Sequence, residues 1–169
     1  MEATLSYRTL TFGNKKTYLF ASLFVLGNII LPQICHTLPY GGPMWLPIYF
    51  FTLIGAYKYG WKVGLLTAVL SPVINSLLFG MPALAALPVI LIKSILLATI
   101  AGAVSSHWQK ATIGLLALTV LGYQITGSLA EWIITGSFVA ATSDFTLGLP
   151  GMLIQIFGGW LVIDKFIRK

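Results

Sequence analysis

Apolar residues run along this chain in long stretches, without the alternation of a half-buried strand or the single stripe of a surface helix. Six stretches reach the roughly 17–25 residues that a helix needs to cross a bilayer. They lie near 17–34, 44–60, 62–80, 85–105, 111–133 and 149–166. Prolines mark many of the boundaries, among them Pro39, Pro43, Pro82 and Pro150. A proline has no N–H and a fixed φ, so it suits a turn or a helix start. Pro47, Pro72 and Pro88 fall inside expected spans, where each should free an upstream carbonyl and kink its helix unless neighbouring groups compensate. The pattern predicts an all-α integral membrane protein. It is expected to be a single six-helix transmembrane domain over 1–169, with a polar N-terminal tail at about 1–16.

Composition agrees with the pattern. Hydrophobic residues make up 57% of the chain and charged ones 8%, against about 25% charged in an ordinary soluble domain. The net charge of +6 raises the possibility of a nucleic-acid partner, but the basic residues form no stripe and no nucleic-acid motif is present. None is expected. The basic positions follow topology instead. Arg8, Lys15 and Lys16 precede the first span, Lys58 and Lys62 lie between the second and third, and Lys110 lies between the fourth and fifth. Lys165, Arg168 and Lys169 close the last one. All fall on one side of a six-span path, and the opposite loops 35–43, 81–84 and 134–148 hold no Lys or Arg. The positive-inside bias then puts both termini in the cytoplasm.

That map leaves one basic residue over. Lys93 sits inside "LPVILIKSILLATIAG", about 12 Å from the outer end of a span that begins near Ala85, at 1.5 Å per residue. A lysine at mid-span costs about 2.5–3.5 kcal/mol on insertion scales. The carboxylate available to it at mid-span is Glu131, toward the outer side of the fifth span. Either the two form a fixed buried pair, or Lys93 is a counter-charge for an anionic ligand group, or a ligand competes with Glu131 for it. A charge pair 4 Å apart at an effective dielectric of 20 is worth roughly 4 kcal/mol before desolvation, enough to set sign selectivity. Ser94, Ala98 and Gly102 form a row of small residues on the same helix, about 100° around from Lys93. Such rows favour close helix packing.

Reactive constellations are scarce. There is no Gly-rich phosphate loop, no HExxH, no GxSxG and no carboxylate cluster, so neither ATP hydrolysis nor other catalysis is expected of this chain. The single cysteine, Cys35, reads as a small apolar residue near a helix end, and His36 and His107 should lie on opposite sides of the membrane. No metal or cofactor is expected. The first outer loop, "QICHTLPYGGPMWLP", is rich in Gly and Pro and uncharged, a composition suited to a lid over an outward pocket.

Four stretches, in order along the chain, resemble the substrate-binding S component of energy-coupling factor (ECF) vitamin transporters. They are "GGPMWLPIYFFTLIGAYKYGWKVGLLTAVLSPVINSLLFGMP", the cytoplasmic turn "YKYGWKVG" within it, "LPVILIKSILLATIAG" and "LGLPGMLIQ". The resemblance implies a six-helix membrane fold with an outward pocket, closed by the loop after helix 1 and lined by helices 4 to 6. It implies a vitamin-like small molecule as ligand and a prokaryotic cell membrane as location. It also implies a transmembrane coupling protein and two ATPase subunits as partners. Two departures stand out. Ala21 is followed four residues later by Val25 where the family often repeats a small residue, so docking of the coupling protein is assigned to Ala21 and Gly27. Where many relatives carry a glutamate, this chain has Lys93.

The expected function is therefore that of a high-affinity binding subunit for uptake of a vitamin or precursor with an anionic group. Lys93 and Glu131 would meet the charge, Trp45, Tyr123 and Trp132 would supply apolar surface, and Asn75, Gln124 and Gln155 would orient polar groups. The alternatives are a stand-alone carrier coupled to protons through Lys93 and Glu131, and a structural subunit in which that pair is permanent.

Overall fold

The structure is a computed structural model that describes residues 10–166. Arg8, Arg168 and Lys169 of the charge map lie outside the described residues. Every element is helical: α1 Lys15–Cys35, α2 Gly41–Trp45, a 3₁₀ turn Pro47–Tyr49, α3 Phe50–Tyr59, α4 Trp61–Phe79, α5 Leu87–Trp108, α6 Ile113–Thr135, α7 Phe138–Leu147 and α8 Leu149–Lys165. The last of these alternates α and π turns. Local signals account for the ends. Asn14 caps α1 by accepting from the Lys16 N–H at 3.0 Å, and Thr112 caps α6 by accepting from Leu115 N–H at 3.3 Å. Gly80 and Gly136 end α4 and α6 in the left-handed conformation, at φ 67° and 68°.

Among the described residues four helices, α1, α4, α5 and α6, are long and apolar enough to cross a membrane. A fifth arises if α7 and α8, bent by 55° at Gly148, count as one. Helix α1 shows the logic. Thr17, Ala21, Val25, Asn28 and Pro32 are buried along one face, while Leu19, Leu23, Leu26, Ile30 and Ile34 are exposed along the other. An outward face made of Leu and Ile is suited to lipid.

The stretch expected as a span at 44–60 is not one helix. Leu46 breaks it in the left-handed region, at φ 47°, and Pro47 then opens a fresh turn. What remains is α3, 10 residues long, or about 15 Å at 1.5 Å per residue, half a hydrocarbon core of about 30 Å. Thr52 to Lys58 are all buried, because α1, α4, α5 and α8 surround α3. A helix wrapped by its own neighbours needs no lipid-facing length. Pro88 also differs from expectation: it sits in the first turn of α5, where a missing N–H costs nothing. The stretch 134–148, expected as a loop, contains α7.

The bundle is ordered by two close approaches. A Cβ on Gly102 would lie 2.5 Å from the Trp61 Cβ, so α5 meets the start of α4 with no room for a side chain. The small-residue row Ser94, Ala98 and Gly102 is buried, as its spacing predicts. On another face of α5, Gly127 of α6 leaves space for the Lys93 stem, which a Cβ would approach to 2.6 Å.

The contacts also gather the basic turns at one end. Leu10 N–H donates to Tyr59 O at 3.1 Å, Lys62 Nζ lies 5.3 Å from the Phe12 ring, and the Tyr57 hydroxyl donates to the Lys110 carbonyl at 2.7 Å. The N-terminal segment, the α3–α4 turn and the α5–α6 turn therefore meet.

Candidate functional site

At the other end the helices leave a cavity of about 590 Å³, within the range of about 300–1,000 Å³ usual for small-molecule sites. Five segments build it. Pro32 and His36 come from the end of α1, and Gly42, Pro43 and Leu46 to Tyr49 from the covering segment that contains α2. Met81 to Ala86 come from the α4–α5 connection, Val89 and Ile90 from the first turn of α5, and Glu131 and Thr135 from the end of α6. The walls are mostly Pro, Ala and aliphatic side chains. The polar groups are few: His36, Tyr49, Glu131 and Thr135. Tyr40 and Leu46 bracket α2 in the left-handed region, at φ 55° and 47°, a conformation that costs a non-glycine residue about 1–3 kcal/mol.

Lys93 and Glu131 are brought together. Lys93 Nζ donates to Glu131 Oε2 at 2.6 Å. The two ends of this pair are not equivalent. The Lys93 side chain is 1% exposed and does not line the cavity, whereas Glu131 is 14% exposed and does. Val89 and Ile90, one turn before Lys93, form the wall above it. Lys93 thus lies beneath the cavity and Glu131 faces into it. Glu131 Oε1 has no protein hydrogen-bond partner among the described residues.

The other expected site residues divide. Tyr123 and Gln155 meet each other, with the Tyr123 hydroxyl donating to Gln155 Oε1 at 3.0 Å. Neither lines the cavity, but Tyr49, which does, has its ring centroid 5.5 Å from that of Tyr123. Gln124 is fully buried, and neither its Oε1 nor its Nε2 has a partner among the described residues. Gln124, Ser128, Glu131 and Thr135 are spaced i, i+4, i+7 and i+11, so they form one stripe on α6. Exposure rises along it, from fully buried Gln124 to exposed Thr135. Ser128 Oγ and, across on α5, Ser94 Oγ also lack partners among the described residues.

Asn75 lies elsewhere. Its Nδ2 donates to Asn28 O and to Ser71 O, both at 2.9 Å, in a buried network between α1, α3 and α4. The reason is Pro32. Having no N–H, Pro32 cannot bond the carbonyl of Asn28, four residues before it, and Asn75 supplies the missing donor. Asn28 in turn donates to Thr52 Oγ1 at 3.0 Å and Ser71 Oγ at 3.2 Å, and accepts from Phe51 N–H at 3.2 Å. Trp45 lines a separate small hollow with Leu31, Cys35 and Ile154. Trp132 is exposed, edge-on to Phe138 at 5.5 Å. Ala21 is buried against Leu10 and Val63, and Gly27 packs under the Phe51 ring. Both small residues therefore serve packing within this chain.

Sequence reasoning missed Tyr49 and Thr135 in the cavity wall. Thr135 was detectable as the next residue on the Glu131 stripe. Tyr49 was not, because only the break at Leu46 turns it toward the cavity. Comparison with protein-family models, curated proteins and solved structures finds no match for this chain. The cavity's role has to be argued from its own residues.

Proposed function

We propose that this protein is the substrate-binding subunit of a membrane uptake system for a small organic nutrient, of the kind that the ECF S-component resemblance implies. In this reading the chain crosses a prokaryotic cell membrane six times, with α3 as a short inner crossing and both termini in the cytoplasm. The observation that carries it is the place of the cavity. It lies at the end without Lys or Arg, which the positive-inside bias makes the outer face. The glycine- and proline-rich segment after α1 covers it, and the Lys93–Glu131 pair lies at its base. The pair offers a ligand two handles: a carboxylate that already faces the cavity, and an ammonium for an anionic group if Glu131 swings aside. Energy would come from a coupling protein and two ATPases, since the chain has no phosphate-binding loop.

The test is identification of the retained molecule. The full chain, purified in mild detergent and examined by native mass spectrometry, should carry one small organic molecule per chain or take one up from a panel of charged and neutral vitamins. A folded protein that carries none and binds none contradicts the reading.

One observation favours a second reading, a carrier coupled to protons. The α6 stripe continues below Glu131 through Ser128 to Gln124, a polar line pointing into the bundle. Accumulation of the ligand by vesicles holding this chain alone, driven by a pH gradient, would favour it over an ATPase-dependent subunit.

A further inference from the structure

The cavity presents one end of an ion pair and hides the other, and this decides which chemistry it meets first. The Lys93 side chain is buried and does not line the cavity, whereas Glu131 and, one turn before Lys93, Val89 and Ile90 do. An anionic ligand would have to displace a carboxylate from a 2.6 Å contact and lie beside that carboxylate while doing so. A like charge at such a distance is unfavourable, most of all in an apolar enclosure. A hydrogen-bond donor meets no such obstacle. An ionised carboxylate is an acceptor with about four lone-pair sites, and of the two Glu131 oxygens it is Oε2 that accepts from Lys93. Oε1 has no protein partner among the described residues and belongs to a residue in the cavity wall. Lys93 also keeps Glu131 oriented, so that the acceptor is held in place before a ligand arrives.

Resting on the binding role proposed above, we infer that the cavity takes a small, largely apolar molecule bearing an N–H donor group, which binds Glu131 Oε1 while Lys93 holds Oε2 from beneath. The apolar walls take the body of the ligand, and the carboxylate selects its polar end. A ligand whose polar end is a carboxylate binds more weakly.

Three fragments that share one ring test this against the full chain in nanodiscs by ligand-observed NMR: benzylamine, benzamide and phenylacetate. The two N–H donors should bind about 10- to 100-fold more tightly than phenylacetate, the worth of a hydrogen bond to a charged group. Glu131→Gln should remove most of that preference. Because this change alone removes the carboxylate that Lys93 Nζ contacts and can impair folding, the double variant Lys93→Met with Glu131→Gln removes both charges together and should show the same loss. Preference for phenylacetate, abolished by Lys93→Met, overturns the inference and leaves the binding role intact. Failure of the folded protein to bind any fragment, with no molecule retained through purification, overturns both.

Discussion

Two buried polar layers lie in this bundle, and they differ in how completely they are satisfied. Between α1, α3 and α4, the Nδ2 groups of Asn28 and Asn75 both donate, and the carbonyl freed by Pro32 is recovered. Between α5 and α6, Lys93 and Glu131 pair, but Ser94, Ser128 and both amide atoms of Gln124 have no partner among the described residues. Closed networks rigidify a fold. Buried polar atoms left over cost free energy and call for another explanation, of which function is a common one. The first layer joins helices. The second reaches the cavity through Glu131.

The largest expected effect comes from opening the ion pair on its buried side. Glu131→Ala removes the carboxylate that buried Lys93 contacts at 2.6 Å and should destabilise the folded bundle by about 3–5 kcal/mol. Adding Lys93→Met should recover most of that loss, as read by reversible unfolding in mixed micelles. If the double variant is as unstable as the single, the pair is not a self-contained unit. Next comes the closed layer. Asn28→Ala removes two donations and one acceptance together and should cost about 2–3 kcal/mol, summing bonds worth about 0.6–1.7 kcal/mol each in membranes. Its ligand preference should be unchanged, and a shift in preference would break the division between the two layers. The smallest effect has the opposite sign. Gln124→Leu replaces an unpartnered buried amide by a similar apolar shape, so stability should hold or rise by up to about 1 kcal/mol. A loss above that would mean that the Gln124 amide is satisfied in the working protein.

The contrast was only partly legible in the sequence. Lys93 and Glu131 stood out because the charge map accounted for every other basic residue. Asn75 stood out too, as a polar residue in a span, but its role depends on Pro32, 43 positions earlier. Nothing in the local pattern ties one to the other; only the packing of α1 on α4 brings a proline-freed carbonyl to an amide. Trp45 and Trp132 read as pocket aromatics because of their residue type. Side-chain type cannot report which way a helix end is rotated, and here neither indole reaches the main cavity. The stretch 44–60 had the apolar length of a span, yet apolar length does not distinguish lipid from protein as the surrounding medium. Helix α3 is apolar because other helices enclose it.

The amino-acid pattern by itself determined the helical class, the ends of the long helices and the segregation of charge. These depend on hydropathy over a turn or more, on capping residues and on proline and glycine, all of which act locally. Tertiary structure alone decided that α3 is short and central, that Asn75 answers Pro32, and that Glu131 faces the cavity while Lys93 lies beneath it. Each depends on helix rotation and on which helices touch, and these follow from packing between residues far apart in the chain.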